Sequence, residues 1–263
     1  TYSFQILMAL MMISMVLMMI SRSVASASRI LEVLEEEPDI VDPANAVMEV
    51  EDGEIEFRNV SFKYEDDSEE ENLENINIKI KAGETVGIIG STGAGKTSLV
   101  QLIPRLYDAT NGEVFVGGRN VKEYNIEALR NSVAMVLQKN TLFSGTIAEN
   151  LRWGNAEATE AQIEAAATSS CVDEFIDRLP GRYDMHIEQG GVNVSGGQKQ
   201  RLCIARAILK NPKVIILDDS TRAVDTATDA KIRKAFAEDL KDTTKIIICL
   251  LYTSPSPRDK RQS

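Results

Sequence analysis

Gly90-Ser91-Thr92-Gly93-Ala94-Gly95-Lys96-Thr97 satisfies the pattern G-x-x-x-x-G-K-[ST] at every position. Its flanks fit the same reading. Thr85-Val86-Gly87-Ile88-Ile89 is a short apolar, β-branched run that predicts a buried strand. Thr97 to Ile103 has helical character and stops at Pro104. Strand, glycine loop and helix start together present a ring of backbone N–H donors at a helix N-terminus. Such a ring cradles anionic phosphates. Gly90, Ser91, Thr92, Gly93, Ala94 and Gly95 would form the cradle. Lys96 would reach the β- and γ-phosphates, and the Thr97 hydroxyl would sit on Mg²⁺.

The 263 residues allow one large domain with an appendage, or two small domains. Hydrophobic residues make up 43% and charged residues 26%, a globular balance that argues against global disorder. A formal net charge of -11 argues against a broad nucleic-acid-binding surface. Cys171, Cys203 and Cys249 lie far apart without a C-x-x-C pair, so they read as reduced structural thiols. A single histidine, His186, excludes a multi-histidine metal site.

Phe4 to Ile20 is almost wholly apolar and carries no charge. As a helix it is about 26 Å long, close to a bilayer's hydrocarbon thickness. Arg22 and Arg29 follow the run, whereas a signal peptide has its basic region first. The positive-inside tendency then places the downstream side in the cytoplasm. A buried core helix of a soluble domain is the alternative. The preferred expectation is a membrane helix that begins upstream of Thr1 and ends near residue 21. Helical spacing continues through Val24, Ala27, Ile30, Leu31 and Leu34, and Pro38 and Pro43 break it, so residues 22–53 read as a cytosolic helix and linker.

Glu54 to Tyr64 alternates apolar and polar side chains, as a half-buried antiparallel strand does. The acidic run from Glu65 to Glu71 reads as a solvated loop. Leu73 to Ile80 alternates again, and Val114-Phe115-Val116 between Asn111-Gly112 and Gly117-Gly118 predicts another hairpin. Ser132 to Leu137 predicts a strand ending at Gln138. Thr141 to Leu179 changes character, with frequent Ala and Glu, and reads as a helical insertion. A helix is expected from Ser195 to Leu209, then a buried strand Val214–Leu217 ending in Asp218-Asp219, an amphipathic helix Ala227–Leu240 and a strand Lys245–Ile248.

Leu217-Asp218 resembles the Walker B end of a P-loop ATPase strand, where the carboxylate holds Mg²⁺ directly or through water. Val194-Ser195-Gly196-Gly197-Gln198 resembles the L-S-G-G-Q signature of ATP-binding cassette (ABC) proteins. A Ser, two Gly and a helix start form a second anion site. The resemblance implies that Ser195, Gly196, Gly197 and Gln198 close over ATP held by a second nucleotide-binding domain. Tyr64 resembles the aromatic that stacks on adenine. Gln138 resembles the Q-loop glutamine, which touches Mg²⁺ and the attacking water near the membrane coupling helices. Phe143-Ser144-Gly145-Thr146-Ile147 with Glu149-Asn150-Leu151 resembles the exporter subclass, Ala223-Val224-Asp225 the D-loop, and Glu188-Gln189-Gly190-Gly191 an exporter contact to the membrane domain. The implied fold is an α/β P-loop NTPase with a RecA-like core, an antiparallel β subdomain and a helical subdomain at about 140–200. It follows the end of the last transmembrane helix. The implied protein is an exporter half-transporter in the cell (inner or plasma) membrane, multi-pass in its full length, with ATP and Mg²⁺ as cofactors. Its partners are a second half-transporter and the membrane, not nucleic acid.

The chain departs from the family pattern twice. After the Walker B Asp the family has Glu as general base, and here Asp219 is one methylene shorter. A displacement of about 1 Å can cost on the order of a hundredfold in rate. Asp219 resembles the degenerate site of heterodimeric exporters, so a heterodimer is expected, with this chain's own site binding ATP and hydrolysing it poorly. After Ile248 a switch histidine is expected, but Cys249 to Ser263 carries no such residue and its two prolines suit neither strand nor helix. The expected nucleotide-binding domain is therefore residues 54–248, truncated, with 249–263 a non-native tail resembling adapter read-through. A soluble ABC ATPase acting on DNA or ribosomes, and a binding-only regulatory subunit, stay open as alternatives.

Overall fold

A computed structural model describes residues 2–64, 71–218 and 225–250. It divides into two units, Thr1–Val41 and Asp42–Ser263. The first holds one helix, α1 (Tyr2–Leu34), which continues unbroken past Ser21. Its 33 residues rise about 50 Å, more than the roughly 30 Å of a bilayer's hydrocarbon. None of its residues is buried, and among the described helices it alone is long and apolar enough to cross a membrane.

The second unit starts with β1 (Ile55–Phe62), β2 (Leu73–Ile80), β3 (Thr85–Gly90), α2 (Lys96–Gln101), β4 (Asn111–Val116) and β5 (Arg119–Asn120). It continues through α3 (Ile126–Ser132), β6 (Val133–Val136), β7 (Gly145–Thr146), α4 (Ile147–Arg152), α5 (Glu160–Ser169) and α6 (Asp173–Ile176). The last elements are β8 (His186–Ile187), α7 (Gly196–Leu209), β9 (Val214–Asp218), α8 (Thr226–Asp239) and β10 (Thr244–Leu250).

The early strands make an antiparallel sheet in the order β2-β1-β4-β5. In β1 the buried apolar residues are Ile55, Phe57, Val60 and Phe62. The step from 57 to 60 is odd, which a strict period of two cannot accommodate. A bulge at that point restores the phase: both of β1's pairings shift register there, and Asn59 turns left-handed at φ 49°. Gly112 (φ +77°) lets β4 pass the bulge, since a Cβ there would meet Asn59 O at 2.3 Å.

The later strands make a parallel sheet in the order β3-β10-β9-β6. Every residue of β9 is buried, and its two faces feed different cores. Val214 and Ile216 join the antiparallel sheet and α2, whereas Ile215 and Leu217 join α4 to α8. The β3 run is an exception to expectation. It forms a strand but is not buried: it pairs with β10 alone among the described strands, and Ile89 is 61% exposed. Apolar β-branched residues specify a strand, while burial depends on what covers each face. The final strand also runs two residues further than expected, with Cys249 paired to Ile89 and Leu250 to Gly90. Residues 251–263 of the expected tail lie outside the described residues.

Within the expected helical region, α4, α5, α6 and α7 pack around Leu151, Ile163, Phe175 and Leu202. A two-stranded ribbon, β7 with β8, interrupts it, pairing Gly145 with Ile187 and Thr146 with His186.

Candidate functional site

The loop after β3 turns through Gly93 (φ +85°) and Gly95 (φ +72°), and Gly95 is the N-cap of α2. A Cβ at Gly95 would lie 2.7 Å from Asn72 O, while one at Gly93 would meet nothing within 4 Å. Lys96 is buried, and its ammonium donates to Gly90 O at 3.0 Å and Ser91 O at 2.6 Å. The Thr97 hydroxyl donates to Asp218 Oδ2 at 2.8 Å, across 121 positions of sequence. Asp218 ends β9 and is 6% exposed. Loop residues Thr92 to Thr97, Gln138 and Asp218 line one cavity of about 340 Å³. Motif residues from three distant stretches therefore meet there.

That cavity fits a metal–triphosphate. Mg²⁺ takes hard oxygen ligands from one or two carboxylates, with substrate phosphates completing its shell. Thr97 and Asp218 place a hydroxyl and a carboxylate side by side at the cavity wall. Among the described residues no cluster of three or more His, Cys, Asp or Glu could hold a metal by itself. The ion there would depend on the phosphates.

Tyr64 lies just past β1 and is half exposed. Its hydroxyl is 2.9 Å from Ser98 Oγ and donates to Gln101 Oε1 at 3.3 Å. Asp219, Ala223 and Val224 lie outside the described residues. Asp225 caps α8, accepting from Thr228 N at 3.0 Å and Thr228 Oγ1 at 2.8 Å. Those bonds hold its carboxyl below the ordinary range.

The segment at Ser195–Gln198 is elsewhere. Ser195 caps α7 through a reciprocal pair: its Oγ accepts from Gln198 N at 3.3 Å, and Gln198 Oε1 accepts from Ser195 N at 2.9 Å. Ser195 and Gly196 are exposed, and none of the four residues lines the phosphate-loop cavity. Near Glu188, Lys199 reaches back to Gly190 O at 2.6 Å, fixing the turn before the helix.

A second cavity, of about 290 Å³, opens beside β6 and holds exposed aromatic surface. Phe143 stacks on Trp153 at 4.4 Å, and the Arg206 guanidinium lies 5.7 Å from the Phe143 ring. Asn150 clamps this corner. It is buried, donates to Phe143 O at 2.9 Å and Thr146 O at 3.0 Å, and accepts from Phe143 N at 2.9 Å and Arg206 Nη2 at 3.0 Å. Asn150 lies within a sequence motif, whereas Trp153 and Arg206 lie outside every one. A lone Trp in a polar stretch was the available signal for Trp153. Arg206, spaced like any exposed residue of α7, offered none.

One chain thus has two glycine-containing helix starts, one lining a cavity with Gln138 and Asp218 and the other outside that cavity. That division is the plan of an ABC-type ATPase domain. The chain belongs to the ABC transporter family, whose profile matches residues 73–222, and whose domain hydrolyses ATP. It is 40% identical over 241 residues, 91% of its length, to YgaD of Bacillus subtilis (strain 168), named as a multidrug export ATP-binding/permease protein. It is 41% identical over 196 residues, 74% of its length, to ABC transporter B family member 14 of Arabidopsis thaliana. A solved bacterial Atm1-family ABC exporter with ATP bound matches 88% of the chain with a TM-score of 0.82 and 31% identity. The chain spans 41% of YgaD's length, 16% of the Arabidopsis protein's and 40% of the solved exporter's.

Proposed function

We propose that this chain is the ATP-binding part of an exporter half-transporter, working in a head-to-tail pair that sandwiches two ATPs. The observation that carries the reading is the separation of the two glycine-containing helix starts: the phosphate loop lines its cavity with Asp218, and the other begins at exposed Ser195 and Gly196 outside that cavity. A site exposed on one chain is available to ATP held by another. Gly90 to Thr97 would hold the triphosphate, with Lys96 leaving its two carbonyl partners for the β- and γ-phosphates. Thr97, Asp218 and Gln138 would hold Mg²⁺, which supplies charge neutralisation of the phosphates when bound. Tyr64 would stack on the adenine.

In this reading ATP binding closes the pair and hydrolysis reopens it. Motion passes through Gln138 and the turn near Glu188 to membrane helices. The exposed Phe143–Trp153 corner, in a cavity also lined by Leu137 and Lys139, offers such a helix an apolar seat with an arginine at its edge. α1 would belong to the membrane part of a multi-pass protein of the cell membrane. YgaD's multidrug-export name makes drug-like compounds the first substrates to assay.

Asp219 makes this chain's own site weakly hydrolytic, because Asp is one methylene shorter than the Glu of the family pattern and would reach less far toward the attacking water. The partner in the pair is then a different half-transporter with Glu at that position. ATPase assays on the longer protein that contains this chain, alone and mixed with a candidate partner, test this. Slow turnover alone and fast turnover in the mixture are expected. Ordinary transporter rates from the homodimer, abolished by Asp219→Asn, would falsify it.

A further inference from the structure

Tyr64 is fixed more firmly than a half-exposed strand-end tyrosine requires. Its hydroxyl sits 2.9 Å from the buried Ser98 Oγ and 3.3 Å from Gln101 Oε1, both on α2. Its ring meets Phe62 edge-on at 4.8 Å and Tyr107 edge-on at 5.1 Å. Its backbone N–H donates to Asn72 Oδ1 at 3.3 Å, and Asn72 lines the phosphate-loop cavity. The hydroxyl and backbone contacts lead toward the loop or its helix. Half of the Tyr64 surface nonetheless stays open.

We propose that Ser98, Gln101 and Tyr107 are positioning residues that preset the Tyr64 ring for the nucleotide's base. The proposal rests on the reading that Tyr64 stacks on that base. Ser98 follows Thr97 on the six-residue helix that also presents Lys96. The hydroxyl bond therefore ties the base platform to the element that holds the triphosphate, setting the span between them before nucleotide arrives. A platform already held in one rotamer gives up little side-chain freedom on binding. Edge-to-face contacts with Phe62 and Tyr107 add orientation beyond simple burial.

The test compares ATP with inorganic tripolyphosphate, which lacks a base, by calorimetric titration of the full chain in detergent with Mg²⁺ present. Tyr64→Phe keeps the ring and removes the tether; Tyr107→Leu removes the edge contact; Tyr64→Ala removes the platform. Tyr64→Phe and Tyr107→Leu are each expected to weaken ATP about three- to tenfold while tripolyphosphate changes by less than about twofold. If Tyr64→Ala leaves the ATP-to-tripolyphosphate ratio at the wild-type value, the stacking reading itself fails. If Tyr64→Ala lowers the ratio but the other two do not, stacking stands and the positioning role is overturned. A gain of ATP affinity in Tyr64→Phe, or equal loss of both ligands in either variant, also overturns it.

Discussion

Gly93 and Gly95 belong to one motif and differ in what they must avoid. Both are left-handed, and an L-residue there costs about 1–2 kcal/mol in backbone strain. Only Gly95 also faces Asn72 O and Leu73 Cδ2 at 2.7 and 2.9 Å from its absent Cβ. Gly95→Ala is expected to cost clearly more stability than Gly93→Ala in urea unfolding and to displace the loop; equal costs would show that the close approach is unimportant. Asp218 and Thr97 were legible individually from the motif and from the apolar run Val214–Leu217. Their 2.8 Å bond was not, because nothing local links positions 121 apart. Asp218→Asn should abolish the gain in ATP affinity that Mg²⁺ gives the wild type, measured by titration with and without the metal. Cys171 and Cys203 are free, buried thiols. Burial pushes the Cys203 and Cys171 thiols above the ordinary range, so the folded protein holds their protons more tightly than the unfolded chain. The stability this contributes is complete below the unfolded thiol pKa and is lost as pH rises through the folded one. Iodoacetamide at pH 8 should label both slowly until urea is added, read by peptide mapping; fast labelling of Cys171 or Cys203 in the native chain would contradict their burial.

At the scale of elements, the start of α7 at Ser195 was legible, because capping is local chemistry. Ser195 with Gln198 forms a reciprocal cap between residues three apart; the same cap of Thr146 with Glu149 emerged only in the structure. Asn150 shows the opposite case. From α4 its side chain joins the turn at Phe143, Thr146 of β7 and Arg206 of α7 at once. Losing one cap costs about 1 kcal/mol. Each buried group left unpaired costs about 1–3 kcal/mol, and Asn150→Ala strands more than one. Thermal melts should therefore place Asn150→Ala below Ser195→Ala, and the reverse order would mean water reaches the Phe143 corner. The ribbon of β7 and β8 was not legible, since two-residue strands 41 positions apart leave no periodicity to read. The bulge in β1 was visible only as an odd spacing between Phe57 and Val60.

For the molecule as a whole, every buried apolar residue lies beyond Val41, and both cores are complete within residues 42–263 among the described residues. A chain starting at Asp42 is therefore expected to fold in water without detergent and melt as the full chain does, seen by circular dichroism. Aggregation of that chain would mean that α1 covers a surface it needs. Composition and short motifs determined the apolar N-terminal helix, the alternation of strand and helix, the phosphate loop, the carboxylate at the end of β9 and the capped start of α7. These depend on neighbours a few residues apart, where side-chain period and hydrogen bonding act directly. Tertiary structure decided the rest: that β3 pairs with β10 alone among the described strands and leaves Ile89 open, that β9 separates two cores, that Thr97 meets Asp218 and that Tyr64 is tied to Ser98. Those pairings join segments that local preference cannot bring together. Burial of two hydrophobic faces on one sheet fixes where they meet.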